Sequence, residues 1–206
     1  MANHYVYRFN SKLVGCKPKI WRNFRVDGDK PLDQLAYVIM ALYEMDEGHL
    51  FNFEDRTDGE LISYEMSPGT RVDLCSDATR YSVFDRKIRS VINEDNPQLM
   101  FVYDFGCNWE VLIELQHCEI VDDLTQEMPQ VEEGEGYGII EDLQGVEGLM
   151  RFKQMLESAD SNDYQYYCDW FEGQLPDLSN FDLAKCNSNL HDKITKLENH
   201  YRIGDY

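Results

Sequence analysis

The sequence predicts a single α+β domain built on a mostly antiparallel sheet of about five to six strands. Short segments rich in aromatic and β-branched residues fill the first half of the chain, and helical spacing of apolar residues dominates the second half. Hydrophobic residues make up 43% of the 206 residues, which is enough for a sizeable core. We expect one domain over residues 1–206, with a core of about 5–190 and C-terminal helices over 146–201.

The first elements expected are a β-hairpin and a helix. Residues 5–14 and 20–26 alternate apolar and polar side chains on either side of a turn that contains Gly15 and Pro18. Apolar residues then recur at helical spacing from Leu32 to Tyr43. One helix therefore follows the first hairpin.

The middle of the chain predicts further strands. Segments 49–54 and 60–64 have strand character, whereas 81–91 fits either a strand or a short helix. Residues 99–105 and 109–117 form the clearest hairpin, because apolar side chains alternate with acidic ones on the second segment. One face of this hairpin is expected in the core and the other in water.

The C-terminal half begins with an acidic stretch over 119–145. Its glycines and glutamates predict a long loop without regular structure. Helical spacing resumes at Val146, and a capping box at Ser179-x-x-Asp182 predicts a last amphipathic helix from Leu183 to Tyr201.

Charge is strongly asymmetric along the chain. The 39 acidic and 19 basic residues give a net charge of -20. Residues 1–30 carry seven basic side chains against two acids, whereas residues 110–182 carry nineteen acids against two basic side chains. Such a field repels phosphate backbones and argues against a nucleic-acid binder. With no run of eighteen apolar residues and no signal-peptide pattern, the chain is expected to be cytoplasmic and to have no membrane contact.

No motif for catalysis, a cofactor or a metal stands out. The six cysteines have no CxxC spacing and are expected to be reduced thiols. Glycines at 134, 136 and 138 lie among acids that would repel a phosphate. A calcium loop starting at Glu54 fails because Arg56 stands where an oxygen ligand is needed. Four basic residues of the first hairpin are expected to be either solvated edge residues or partners of the acidic segment: Lys17, Lys19, Arg22 and Arg25.

Several strings of the sequence resemble known motifs in order and spacing. KPKIWR at 17–22 is similar to KPPIWRR, HLFNF at 49–53 to HLYEF, and YDFGCNWE at 103–110 to YDFGDNWEH. EDLQGV at 141–146 is similar to PPEDCGGV, and Phe181-Asp182 with Asn187 and Leu190 to a closing FD…VN..L string.

Together these strings resemble the plasmid Ri ORF-three-like family, whose members are also labelled TnpR-like insertion-element passenger proteins. The motif residues that carry the resemblance are Trp21, His49, Tyr103, Asp104, Phe105, Gly106 and Trp109. The resemblance implies an α+β fold and no established reaction. A resolvase is not supported, because no serine lies in an arginine cluster. The chain departs from the motifs at Cys107, which replaces an acid, and at Val111, which replaces a histidine.

Three functions fit these observations, and the first is preferred. A non-enzymatic interaction module would offer an acidic, DNA-mimicking surface to a basic protein partner. The candidate residues for this surface are Glu132, Glu133, Glu135, Glu141 and Asp142.

The second is a metal-assisted hydrolase in which acids of 119–145 converge with Asp104 and His49 in one pocket. The third is an acidic soluble domain without a dedicated partner.

Overall fold

The computed structural model describes residues 4–56, 59–67, 79–122, 127–158 and 162–203. Within these ranges the chain forms an α+β fold with one sheet of eight strands and five helices. The strands are β1 (His4–Leu13), β2 (Trp21–Asp27), β3 (Phe51–Asp55), β4 (Ile62–Glu65), β5 (Thr79–Ser82), β6 (Gln98–Tyr103), β7 (Trp109–Val121) and β8 (Gln130–Glu135). The helices are α1 (Leu32–Leu42), α2 (Ile88–Val91), α3 (Gly145–Ser158), α4 (Asn162–Trp170) and α5 (Leu183–Ile203).

The sheet is mixed and larger than the sequence predicts. Its strand order is β5-β4-β3-β6-β7-β1-β2-β8, and every neighbouring pair is antiparallel except β4 and β5. The expectation of five to six strands is wrong, because it leaves out β8 and does not separate β5 from the helical segment that follows it. Both strands lie at edges of the sheet, where the alternating apolar pattern is weakest.

The prediction of a structureless acidic loop over 119–145 is wrong in two places. Strand β7 continues to Val121, and β8 forms in the middle of the segment by pairing with β2. Val131 of β8 is buried, and the carboxylate of Glu132 lies 3.0 Å from Nε of Arg25 on β2. An acidic strand is therefore stable here because its partner strand is basic.

Helix α1 lies at the centre of the molecule. Of its eleven residues only Gln34 is not buried, since the sheet covers one side of the helix and α5 packs on another. The ring of Tyr37 on α1 stacks on Tyr201 of α5 at 5.9 Å and meets Phe51 of β3 edge-on. The predicted helix after the first hairpin is confirmed, and the core is an aromatic layer between α1 and the sheet.

From Gly145 onward the chain forms the helices α3, α4 and α5, as predicted. Helix α5 is capped by Asp182, whose Oδ1 accepts a hydrogen bond from the backbone N–H of Lys185. Ser179 instead hydrogen-bonds to Asp177, so the predicted capping box is not formed by that serine. In the part of the chain that the structure describes, no helix combines the length and the apolar character needed to cross a bilayer.

The five cysteines within the described ranges are all free thiols. Cys75 and Asp58, on which parts of the cysteine and calcium interpretations rest, lie outside the described residues.

Candidate metal centre

Strand register brings two predicted motif residues together at one end of the sheet. Strands β3 and β6 are antiparallel with Phe51 opposite Tyr103, so the chain entering β3 runs beside the chain leaving β6. The ladder extends one step further, because the backbone N–H of Asp104 donates to the carbonyl of Leu50 (3.1 Å). His49, immediately before Leu50, therefore lies next to Asp104.

Asp104 opens a tight turn between β6 and β7. Its φ of 52° is in the left-handed region, which Asp and Asn adopt more readily than most residues. Its Oδ1 accepts a hydrogen bond from the N–H of Gly106 (3.0 Å), and its carbonyl accepts one from the N–H of Asn108 (2.6 Å). Asp104 therefore caps this turn, and the hydrogen bond from Gly106 fixes the direction of its carboxylate.

Glu141 reaches the same place from the loop between β8 and α3. Its Oε1 accepts a hydrogen bond from the backbone N–H of Asp46 (3.0 Å) and lies 3.0 Å from the hydroxyl of Tyr103. Among the described residues nothing donates a hydrogen bond to Oε2, although this atom is buried. One oxygen of the carboxylate is thus held in place while the other is an unpaired acceptor.

His49, Asp104 and Glu141 form a compact cluster. The Nδ1 atom of His49 lies 3.7 Å from Asp104 Oδ1, and its Nε2 atom lies 3.9 Å from Glu141 Oε2. One donor atom from each of the three residues can be chosen so that all lie within 4.8 Å of one another. The His49 side chain is 41% exposed, whereas those of Asp104 and Glu141 are 12% and 18% exposed. The cluster is buried on its carboxylate side and open to solvent on its imidazole side.

The two carboxyl groups have opposite pKa shifts. Burial raises the pKa of Glu141, and the hydrogen bonds from Asp46 and Tyr103 only partly offset this. Burial also acts to raise the pKa of Asp104, but the hydrogen bonds from Cys107 and Gly106 outweigh it, and the net pKa is lowered. At neutral pH the cluster therefore holds a readily ionised carboxylate beside one for which the charged form is costly.

Among the described residues this is the one group of three or more His, Cys, Asp or Glu side chains whose donor atoms are close enough to share a metal ion. One imidazole and two carboxylates suit Zn²⁺, Mn²⁺ or Fe²⁺. A cation between them would give Glu141 Oε2 the partner that it lacks.

Residues 5–189 match the family of plasmid pRiA4b ORF-3-like proteins. The chain belongs to this family. The crystal structure of a protein of unknown function from Methanosarcina mazei Go1 has the same fold, with a TM-score of 0.74 and 25% identity over 88% of this chain and 96% of that one. No curated protein is significantly similar to the chain. The resemblance inferred from the motif strings is thus confirmed for the family, and the family name carries no activity with it.

The other motif residues of this ORF-3-like chain take part in core packing or in hydrogen bonds. Trp109 is fully buried, as is Val111, so the position where the family string has a histidine lies in the core and not in the cluster. Tyr103 is also buried and contributes its hydroxyl to the cluster. Trp21 lies at the start of β2 and donates its indole N–H to Glu135 (3.1 Å). Trp109 is thus part of the hydrophobic core.

The acidic residues predicted to form an interaction surface are not all in one environment. Glu132 contacts both Arg8 and Arg25 at 3.0 Å, and Glu135 accepts the Trp21 indole N–H. Asp142 is exposed, whereas Glu141 belongs to the cluster with His49. The interaction surface stays a prediction, and the basic first hairpin already contacts part of it.

The prediction that Arg22 is a solvated edge residue is wrong. Its side chain is fully buried between the rings of Tyr43 and Phe181. The guanidinium donates to five backbone carbonyls, those of Trp21, Leu42, Glu135, Gly136 and Tyr137, at 2.7–3.2 Å. A buried charge is tolerated here because backbone dipoles from three parts of the chain surround it.

Sequence reasoning missed two groups that support the cluster. The backbone N–H of Asp46 donates to Glu141, and the hydroxyl of Tyr201 donates to the backbone carbonyl of His49 (2.6 Å). Both residues come from segments without a motif.

Proposed function

We propose that the protein binds a divalent metal ion through His49, Asp104 and Glu141 and uses it to activate a water molecule for hydrolysis. The observation that carries the proposal is the buried Oε2 atom of Glu141, which receives no hydrogen bond from the described residues and faces His49 at 3.9 Å. A buried carboxylate oxygen without a donor is costly in free energy, and a cation at this position would remove that cost.

The donor set supports a catalytic type of site. Structural zinc sites close their coordination with four protein ligands, whereas catalytic sites have three and leave a position for water or substrate. Three donor residues are present, and the cluster is open on the side where His49 is 41% exposed. An ion there would lower the pKa of a bound water and so supply hydroxide at neutral pH.

Tight support of the carboxylates favours a preorganised site. The turn hydrogen bonds fix Asp104, and the backbone N–H of Asp46 together with the Tyr103 hydroxyl fixes Glu141. Partners of this kind orient ligands and commonly change metal affinity by about 10- to 100-fold when they are removed. His49, with its backbone held by Tyr201, is the ligand that solvent and substrate approach first.

Calorimetric titration of chelator-treated protein with Zn²⁺, Mn²⁺ and Mg²⁺ tests the metal site. We expect one ion per chain and a loss of affinity of at least about 100-fold in His49→Ala, Asp104→Asn and Glu141→Gln. Each variant should fold: His49 is half-exposed, Asn also accepts the turn hydrogen bonds at position 104, and Gln keeps an acceptor for Tyr103. Glu132→Gln is the matched control, since this acid pairs with arginines outside the cluster, and it should bind the ion as the wild type does.

Hydrolysis is tested separately with chromogenic carboxylic esters, phosphoesters and amides. We expect turnover of one class that is lost with the chelator, restored by the ion and absent in His49→Ala. Failure of the wild type to bind any of the three ions would overturn the metal site. Tight, His49-dependent binding without turnover of any class would overturn the hydrolase and leave a metal-binding protein.

A further inference from the structure

Helix α4 carries an aromatic face that is open to solvent. Tyr166 and Trp170 lie four residues apart, so they share one face of the helix, and they are 66% and 41% exposed. In the part of the chain that the structure describes, the other exposed large apolar side chains are aliphatic. Exposed tyrosine and tryptophan side on one helix face are typical of a binding surface, where these two residue types are enriched.

The exposed rings rest on an aromatic base that reaches the core. The ring of Tyr167 packs on Phe152 of α3 at 4.8 Å, and Phe152 is fully buried. Tyr167 also contacts Tyr166 at 5.3 Å and Trp170 at 5.8 Å. Phe171 lies 5.5 Å from Phe152 and 4.9 Å from Trp170. Because these contacts already hold the rings in place, a partner that packs on them costs little conformational entropy.

The surface around these rings is acidic. Residues 154–184 contain seven acids and no lysine, arginine or histidine. Asp169 and Glu172, within and just after α4, are both exposed, and the hydrogen bond that Asp169 accepts comes from a neutral amide. Glu132 on β8, by contrast, is paired with Arg25 of the neighbouring strand. The charge beside the aromatic face is therefore available to a partner.

We infer that this face of α4 binds a basic peptide segment of a partner protein, with lysine or arginine side chains over Trp170 and Tyr166. A cation is attracted to the face of an aromatic ring, most strongly to tryptophan, and the neighbouring carboxylates add to this attraction. The same carboxylates repel phosphate groups, which excludes nucleic acids. A second copy of this chain is disfavoured, since a symmetric contact would bring the acids of two α4 helices together. Binding at α4 requires no metal ion at the His49 cluster.

Fluorescence anisotropy of a labelled peptide that alternates arginine with serine tests the aromatic side of the surface on the full chain. We expect saturable binding by the wild type and at least about fivefold weaker binding by Tyr166→Leu and Trp170→Leu. Leucine keeps apolar contacts and favours helix, so the loss reports the aromatic ring and not the fold. Trp170→Phe retains a ring and should bind more tightly than Trp170→Leu. Ile120→Ala, which truncates an exposed apolar side chain on β7, is the matched control and should bind as the wild type does.

Two double variants with the same change of net charge test the acidic side. Asp169→Asn with Glu172→Gln removes carboxylates beside the rings, whereas Glu94→Gln with Asp95→Asn removes exposed carboxylates before β6. We expect the first pair to weaken peptide binding at least about fivefold and the second pair to weaken it less than about twofold. Equal losses would mean that the peptide responds to the overall negative charge of the chain, and the specific surface on α4 would be refuted.

Three other results would also overturn the assignment of this surface. They are failure of the wild type to bind the arginine–serine peptide, unchanged affinity in Trp170→Leu, and equal binding of a peptide that alternates glutamate with serine. A wild-type dimer that Trp170→Leu dissociates in sedimentation equilibrium would assign the face to a second copy instead. Peptide affinity should be the same with and without chelator, so this test and that of the metal site can fail independently. Circular dichroism of each variant verifies that a lost affinity does not come from misfolding.

Discussion

Arg22 and Glu141 both have buried charged atoms, but the fold satisfies their hydrogen bonds to different degrees. The guanidinium of Arg22 is fully buried, and all of its nitrogens donate to backbone carbonyls. The carboxylate of Glu141 has one oxygen with two donors and a buried second oxygen with none among the described residues. The fold provides a hydrogen-bond partner for every side-chain nitrogen of Arg22 but for only one of the two carboxylate oxygens of Glu141.

The contrast separates a structural charge from a functional one. Arg22 ties the last turn of α1, through the carbonyl of Leu42, to the chain leaving β8 at 135–137. Burial lowers the pKa of Arg22, but a guanidinium remains charged at any physiological pH. Glu141 is placed as firmly through Oε1, so its unpaired Oε2 does not come from loose packing. Unsatisfied buried groups are rare in native proteins, and a binding role is one explanation for them.

Replacing Arg22 should give the largest effect on stability. Arg22→Met keeps the apolar contacts with Tyr43 and Phe181 but leaves five carbonyls without their donor. We expect the free energy of unfolding to fall by about 3–5 kcal/mol, as when one partner of a buried ionic group is removed. Urea denaturation measures the change.

Arg25→Met is the control for this prediction, because Arg25 is on the same strand and pairs with Glu132 near the surface. It should cost about 1 kcal/mol or less. Equal losses of unfolding free energy in the two variants would show that Arg22 contributes no more than an ordinary ion-pairing residue. Arg22 would then not be an example of a structural buried charge.

Asn187 is a neutral side chain whose hydrogen bonds, like those of Arg22, are made to the protein backbone. Its side-chain amide accepts from the N–H of Val131 and donates to the carbonyl of the same residue, both at 2.9 Å. This pairing covers part of the free edge of β8. Asn187→Ala should lower the free energy of unfolding by about 1–3 kcal/mol and increase amide hydrogen exchange at Val131.

Asn189→Ala on the same helix tests whether that effect is specific. Asn189 is exposed, and its replacement should change stability by less than about 0.5 kcal/mol. Unchanged exchange at Val131 in Asn187→Ala would contradict the role of Asn187 in protecting the edge.

Glu141→Gln tests the carboxylate oxygen that has no hydrogen-bond donor, and it should raise stability where the Arg22 and Asn187 variants lower it. Glutamine keeps an acceptor for Tyr103 and Asp46 and removes a buried charge that lacks a partner. We expect the metal-free protein to become more stable by about 1 kcal/mol at neutral pH, while ion binding is lost. Thermal unfolding in the presence of chelator measures the first change, and calorimetry measures the second.

Asp104→Asn provides the contrast, since Asp104 already has hydrogen bonds to its carboxylate and a lowered pKa. Its replacement should not stabilise the protein. A Glu141→Gln variant that is less stable than the wild type in chelator would mean that Oε2 is not an unsatisfied group.

Local patterns predicted the elements whose contacts are close in sequence. Alternation of apolar and acidic residues identified β7, and helical spacing identified α1. These features depend on residues within a few positions of one another. The residue pattern alone was therefore enough to predict these elements.

The features that the sequence could not predict depend on distant partners. The burial of Arg22 requires carbonyls more than 110 residues away. Strand β8 pairs with β2, which is also more than 100 residues away and whose Arg25 lies 3.0 Å from Glu132. Glu141 is indistinguishable in sequence from its exposed neighbour Asp142, and only Tyr103 and Asp46 decide that it turns inward. The hydrolase hypothesis named His49 and Asp104 with an acid of this segment, but composition alone ranked an acidic surface first.

Replacement of Asp29 should have the smallest effect on stability, because its ion pairs with Lys87 and Arg89 are exposed to solvent. Its carboxylate accepts hydrogen bonds from Lys87 (2.7 Å) and Arg89 (2.8 Å), and these two bonds, that of Lys87 first, lower the pKa of Asp29. Because the folded pKa is below the unfolded value, its stabilisation is present above the unfolded pKa of about 3.9 and is lost as the pH falls through the folded pKa.

Asp29→Asn should therefore be slightly less stable than the wild type at about pH 6, with the difference shrinking toward zero below about pH 3. The difference should also shrink in about 1 M salt, which screens exposed pairs. Chemical denaturation across this pH range measures it. A difference that persists at about pH 2 would mean that Asp29 acts through hydrogen bonds that survive protonation, and a surface pair would then resemble Arg22 more closely than its exposure indicates.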